Sequence, residues 1–203
     1  RLHVDRNNDR DLTNDGEGAL SVEKPGYLEV KDVTIQVRYK SGTIPYTLCF
    51  YRWKQRSPKK LMYYRDSARE GELVLGDTKC KIAILDENAD ARFDDMDGLT
   101  LLADLNGSGT LAAVNKDEFF LGDMTCKLAS ASADGTRLTI HASSDADESK
   151  ITVRLTGREN LVGLGADEQG PVSWYRPMKA LLGDKPPVAL KAEPAYRSEK
   201  PLY

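Results

Sequence analysis

The 203 residues carry 29 basic and 32 acidic side chains, a formal charge of −3. That balance argues against nucleic acid as a general partner, and no run approaches the ~18 apolar residues of a membrane span. The length suits one sizeable domain or two small ones.

The chain opens at Arg1 with no Met and no signal peptide, and reads as a processed or trimmed piece. Leu2 and Val4 flank His3 like the end of a strand that begins upstream. The run Asp5-Arg6-Asn7-Asn8-Asp9-Arg10-Asp11 follows, and residues 5–17 hold five acids against two bases. Residues 1–20 are read as this strand end and loop. Residues 16–26 are polar and Gly-rich, and Pro25-Gly26 signals a turn.

From Tyr27 the pattern turns to strand. Val33, Ile35, Val37 and Tyr39 alternate with polar residues, the period of a half-buried strand. After the Ser41-Gly42 turn, Ile44, Tyr46, Leu48 and Phe50 share one face, with Cys49, Tyr51 and Trp53 on the other. Pro45 places the start of that strand at an edge. Residues 54–60 read as a basic turn and Leu61 to Tyr64 as a short strand, completing an antiparallel meander. Asp66 and Glu70, near Arg65 and Arg69, read as a charged turn, with a glycosidase-like acid pair as the alternative.

A stretch of twelve residues recurs at an offset of 46. Residues 72–83, ELVLGDTKCKIA, return as residues 118–129, EFFLGDMTCKLA, with seven positions identical. Each copy reads as strand, Gly-Asp turn, strand. The first runs into an acidic loop at Asp86; the second runs into the turn Ala133-Asp134-Gly135-Thr136 and a strand from Arg137 to His141. A strand from Leu99 to Ala103 lies between the copies. Residues 142–150 form a polar connection, and Ile151, Val153 and Leu155 mark a further strand. The domain is read as residues 21–157. Residues 158–203 are read as an irregular, Pro-rich segment or linker, with a helical turn at Met178 to Leu182 and an anchor at Trp174-Tyr175. The fold class expected is all-β: an antiparallel, hairpin-rich sandwich or barrel-like domain with a duplicated hairpin.

Three loops between these strands space oxygen-bearing side chains at every second residue. Residues 86–97 carry six acids against one base. There Asp86, Asn88 and Asp90 stand at positions 1, 3 and 5, the Arg92 carbonyl at 7, Asp94 at 9 and Asp97 at 12. Phe93 at position 8 is the apolar residue that ties the loop to the core, and Ala91 stands at position 6 where Gly is usual. The first loop offers Asp5, Asn7, Asp9 and Asp11 at positions 1, 3, 5 and 7, with Arg10 at 6, Leu12 at 8 and Asp15 near the closing position. The third offers Asp104, Asn106, Ser108 and Thr110, with Gly109 at 6 and Leu111 at 8, but no acid at 9 or 12. Calcium takes six to eight hard oxygens, and a short turn supplies them only at such spacing. These loops resemble the calcium loops of EF-hands, dockerins and thrombospondin type 3 repeats. The resemblance covers about twelve residues per site and lacks the flanking helices of an EF-hand. Strands punctuated in this way resemble exported bacterial β-rich proteins, a likeness that implies no activity.

Other chemistry finds little support. Cys49, Cys80 and Cys126 fit no zinc spacing and read as small core residues. The histidines are His3 and His141, and neither G-x-S-x-G nor H-E-x-x-H occurs. Asn106-Gly107-Ser108 matches a glycosylation sequon, though its amide belongs to the third loop. Tyr51, Trp53, Tyr63 and Tyr64 suit a core or a sugar-binding face. The expectation is a non-enzymatic, extracytoplasmic β module stabilised by two or three structural calcium ions. It would serve adhesion, surface assembly or accessory binding of a protein or glycan. The alternative is a carbohydrate-binding or glycan-processing accessory domain.

Overall fold

The computed structural model describes residues 1–54, 61–144, 148–159, 166–167 and 170–171. Most of the expected basic turn at 54–60 and nearly all of the C-terminal segment, including Trp174-Tyr175 and Met178 to Leu182, lie outside them. Among the described residues every regular element is a strand, and all pairing between strands is antiparallel. No helix there is long and apolar enough to cross a membrane. The chain is all-β, and among the described residues the sheets are open, with no closed barrel.

Two compact units form. The first holds residues 1–66 and 88–90; the second holds residues 67–87 and 91–171. The division at Asp66/Ser67 falls inside the stretch expected to be one domain. Residues 1–20 join the first unit through a bridge between Leu2 and Ala19 and a bond from the Gln36 N–H to the Arg6 carbonyl, 2.6 Å.

The first unit is a four-stranded sheet of β1 (Val22–Lys24), β2 (Tyr27–Tyr39), β3 (Gly42–Trp53) and β4 (Met62–Arg65), paired in that order. Pro25-Gly26 makes the β1–β2 turn, with Gly26 at φ +84°. Pro45 pairs with Gln36 on one side; β4 reaches only Leu48 to Tyr51 on the other, so the missing N–H breaks no ladder. The alternation expected of β3 gives way to burial on both faces from Tyr46 to Tyr51. A bulge between Val30 and Val33 places Asp32 at φ +56°.

The second unit has two sheets. One contains β5 (Ser67–Leu75), β6 (Thr78–Asp86), β7 (Leu99–Ala103), β8 (Ala112–Ala113) and β13 (Thr156–Glu159), in the order β13-β5-β6-β7-β8. The other contains β9 (Phe119–Leu121), β10 (Met124–Ala131), β11 (Arg137–Ser143) and β12 (Glu148–Arg154), in the order β12-β11-β10-β9. The polar connection expected at 142–150 is shorter than read, because β11 and β12 extend into it from both sides. Leu155 passes the chain from one sheet to the other, a sandwich corner. A separate pair, β14 (Ala166–Asp167) and β15 (Gly170–Pro171), closes the described chain.

Period-2 patterning builds this core. On β11, Leu138, Ile140 and Ala142 are buried while Arg137, His141 and Ser143 are exposed. Leu73, Cys80, Ile82, Ile84, Leu101, Cys126 and Leu128 complete the apolar interior. Close backbone approach also matters: a Cβ on Gly71 would stand 2.5 Å from the Arg154 carbonyl oxygen, so only glycine fits there. The two hairpins of similar sequence share their register. Leu73 faces Cys80 across Gly76-Asp77, and Phe119 faces Cys126 across Gly122-Asp123.

Two charged residues overturn the charged-turn reading of residues 65–70. Arg65 ends β4 and Arg69 lies within β5, and both are almost wholly buried. The Arg69 guanidinium sits 5.4 Å from the Phe93 ring centroid and donates to the Asp134 carbonyl at 3.2 Å. A guanidinium is tolerated inside because it stacks on an aromatic face and its donors find acceptors.

Candidate metal-binding loops

Each of the three acidic loops leaves the end of an extended segment. Asp86 is the last residue of β6, Asp104 follows β7, and Asp5 follows the Leu2 bridge. In each, the acid at position 1 folds back on the loop's own main chain. Asp5 accepts the N–H groups of Asp9 at 3.1 Å and Arg10 at 2.7 Å. Asp104 accepts those of Ser108 at 2.9 Å and Gly109 at 2.7 Å. Asp86 accepts the Ala91 N–H at 2.6 Å. The amide at position 3 repeats one pattern in the outer loops: Asn7 accepts the Asp9 N–H at 3.0 Å, and Asn106 the Ser108 N–H at 3.1 Å.

The backbone follows one path in all three. Position 6 is left-handed, at Arg10 (φ 70°), Ala91 (φ 60°) and Gly109 (φ 84°). So is position 4, at Asn8 (φ 58°), Ala89 (φ 50°) and Gly107 (φ 66°). The positive φ at position 6 was legible from the usual glycine there; that at position 4 was not anticipated. Five non-glycine residues among those described have positive φ, and four of them are these loop positions. Each costs about 1 kcal/mol or more relative to a relaxed backbone. Strain of this kind persists where the surroundings over-determine it, and it clusters at functional sites.

The loops differ in how they are held. Phe93 and Leu111, at position 8 of the second and third loops, are buried, and the Phe93 N–H bonds the Ala133 carbonyl at 3.1 Å. Leu12, at position 8 of the first loop, is 49% exposed and does not anchor its loop. That loop closes through Asp15, whose Oδ1 accepts the Arg6 N–H at 2.8 Å. The other Asp15 oxygen is buried and has no hydrogen-bond partner. Asp9 and Asp11 are held below the usual carboxylate range, Asp9 chiefly by the Asn14 amide and Asp11 chiefly by the Thr13 hydroxyl. In the third loop Ser108 accepts the Thr110 N–H at 3.2 Å, while Asn115, at position 12, accepts the Asp117 N–H at 3.0 Å.

The acids late in the middle loop are engaged locally. Asp94 lies 3.2 Å from Arg92 Nε, and that hydrogen bond lowers its pKa. Asp95 accepts the Asp97 N–H at 3.2 Å. Among the described residues no group of three or more His, Cys, Asp or Glu side chains is gathered as a ready cage. In the Asp134 turn, which follows the second hairpin where Asp86 follows the first, the carboxylate is engaged by the turn's own residues. Its Oδ1 takes the Ser132 hydroxyl at 2.6 Å and the Thr136 N–H and hydroxyl at 3.0 and 2.8 Å.

The aromatic residues form a different cluster, in the first unit. Tyr51 and Tyr63 are buried; Trp53 and Tyr64 are half-buried. Tyr51 meets Trp53 at an interplanar angle of 85° and Tyr64 at 54°, and Tyr27 meets Trp53 at 59°. Edge-on and tilted packing is the geometry of aromatic core contacts; a flat platform for a sugar ring needs coplanar faces. Beneath them Tyr64 donates to Glu29 at 3.1 Å and the Cys49 thiol to Asp66 at 3.4 Å. Burial pushes the Cys49 thiol up to about 12, and it raises Cys80 and Cys126 as well.

All three cysteines are free and buried, and a neutral, shielded thiol is a poor nucleophile. We expect an aromatic disulfide reagent to find no reactive thiol in the native protein near neutral pH and three after unfolding in guanidinium. Rapid native labelling of Cys49 would overturn this. Compared with family models, curated proteins and solved structures, the chain matches none of them.

Proposed function

We propose that the protein is a non-enzymatic, exported β module whose acidic loops hold structural calcium, serving adhesion, surface assembly or accessory binding. The observation that carries this reading is the shared backbone. Three loops of different sequence take left-handed φ at the same two positions, two of them without glycine at either. Such a backbone is strained, and a bound cation drawing the oxygens of positions 1, 3 and 5 together would offset that strain. Asp86, Asn88, Asp90, Asp94, Asp97 and the Arg92 carbonyl would serve the middle loop. Asp5, Asn7, Asp9, Asp11 and Asp15 would serve the first, with the buried Asp15 oxygen as a ready ligand. Asp104, Asn106, Ser108 and Thr110 would serve the third. Asp94 would exchange Arg92 for the ion.

Magnitudes favour a structural ion outside the cytoplasm. Extracellular modules bind calcium with Kd of about 10⁻⁴–10⁻³ M. At roughly 2 mM free calcium each site then adds about 0.7–1.8 kcal/mol, which offsets part of the strain of one loop. No helix pair is present among the described residues to open as a sensor's would.

The test is thermal melting of the whole chain in calcium and in chelator. Calcium should raise the midpoint by about 5–15 °C if two or three loops fill. An unchanged midpoint, together with no metal by elemental analysis, defeats the reading. The glycan-binding alternative would need a coplanar aromatic face, which the tilted rings of Tyr27, Tyr51, Trp53 and Tyr64 do not offer.

A further inference from the structure

Asn106 precedes Gly107 in the third loop, and both are exposed. The Asn106 side-chain carbonyl accepts the Ser108 N–H at 3.1 Å, folding the carboxamide back over its own peptide bond to Gly107. In a turn of this kind the side chain mimics the main chain two residues on, which brings the amide carbon beside the nitrogen of the next residue. The Ser108 N–H also polarises the carbonyl, as a donor does where negative charge develops on oxygen. The Gly107 N–H is held loosely, 3.5 Å from the Asp104 carbonyl. Beyond the two adjoining residues nothing lies within 4 Å of where a Gly107 Cβ would stand, so no more distant group crowds that side of the peptide.

We propose that Asn106 is a self-modification site at which the folded chain loses its side-chain amide. Water or hydroxide takes the proton of the Gly107 N–H as that nitrogen bonds to Asn106 Cγ. The Cγ–Nδ2 bond breaks as the departing nitrogen takes up a proton from the water that accepted the first, and ammonia leaves, closing a cyclic imide. A second water opens the imide at either carbonyl, leaving aspartate or isoaspartate. No electrons are exchanged. Position 3 of the loop then carries a carboxylate in place of the amide, beside Asp104.

Two other residues provide an internal comparison. Asn7 accepts the Asp9 N–H at 3.0 Å, and Asn115 accepts the Asp117 N–H at 3.0 Å, the same turn in each case. They are followed by Asn8 and Lys116, which carry side chains next to the attacking nitrogen where Gly107 has none. The turn is shared and the following residue differs; Asn7 also has its amide nitrogen tied to Asp9 at 2.9 Å and Asn14 at 3.3 Å, so Asn115 is the closer comparison.

The experiment incubates the whole chain in mildly alkaline buffer with chelator, so its outcome does not depend on whether the loop holds an ion. Peptide mass mapping follows the exchange of amide for acid at each asparagine, and enzymatic methylation of isoaspartate identifies the product. Conversion should accumulate at Asn106 well ahead of Asn7 and Asn115. Gly107→Ala should slow it to the rate of Asn115, and Asn106→Gln, whose longer chain would close a larger ring, should abolish it in that peptide. Equal rates at the three asparagines, or an undiminished rate in Gly107→Ala, would overturn the proposal.

Discussion

Replacing Phe93 with alanine is expected to destabilise the second unit by about 3–5 kcal/mol, the range for emptying a buried aromatic site. Phe93 is fully buried. Its ring carries the Arg69 guanidinium 5.4 Å from the centroid, and its N–H holds the Ala133 carbonyl. The ring also sets its surroundings: a Cβ on Gly135, at φ +69°, would stand 2.7 Å from it. Truncation therefore leaves a cavity and removes the face on which a buried cation rests. Leu12→Ala, at the same position of the first loop, should change stability by less than about 0.5 kcal/mol, because the side chain is half exposed. Denaturant melts of the two variants measure the contrast. Similar losses would mean that Leu12 is anchored after all.

The same comparison shows what the sequence carries. Position 8 is apolar in all three loops, but spacing alone does not say whether the chain folds back to cover it. It does so for Phe93 and Leu111 and not for Leu12. The strand from Leu99 to Ala103 was legible to the residue, as were the Gly-Asp turns of both hairpins, because alternation and turn chemistry are local. Five short strands were not legible: β1, β8, β13 and the pair β14 and β15. They have two to four residues each, too few for a period, and exist because a neighbouring strand offers its edge. Arg65 and Arg69 were misread for a related reason: a charged side chain signals solvent unless its buried partners are known. The loops' side-chain oxygens were visible as spacing, whereas the left-handed residues at position 4 emerged only from the backbone.

Asp86→Ala should be the most damaging single change among the oxygen-bearing residues of the loops. Asp86 closes β6, is fully buried, and accepts the Ala91 N–H at 2.6 Å, the bond that holds Ala91 at φ 60°. Losing a charged acceptor costs about 1.5–3 kcal/mol. In calcium the variant should also forfeit its loop's ion, about 0.7–1.8 kcal/mol. Asp104→Ala removes two comparable bonds, to Ser108 and Gly109. Its loop, however, is exposed from Leu105 to Thr110, takes glycine at both left-handed positions, and has no acid at positions 9 or 12. Less strain is held there and less charge awaits an ion. The calcium-dependent part of stability, the difference between melts in calcium and in chelator, should therefore fall further in Asp86→Ala than in Asp104→Ala. An equal or reversed order would transfer the principal ion site to the third loop. A loss of the same size in chelator as in calcium would make Asp86 a strand-end cap with no ion to hold.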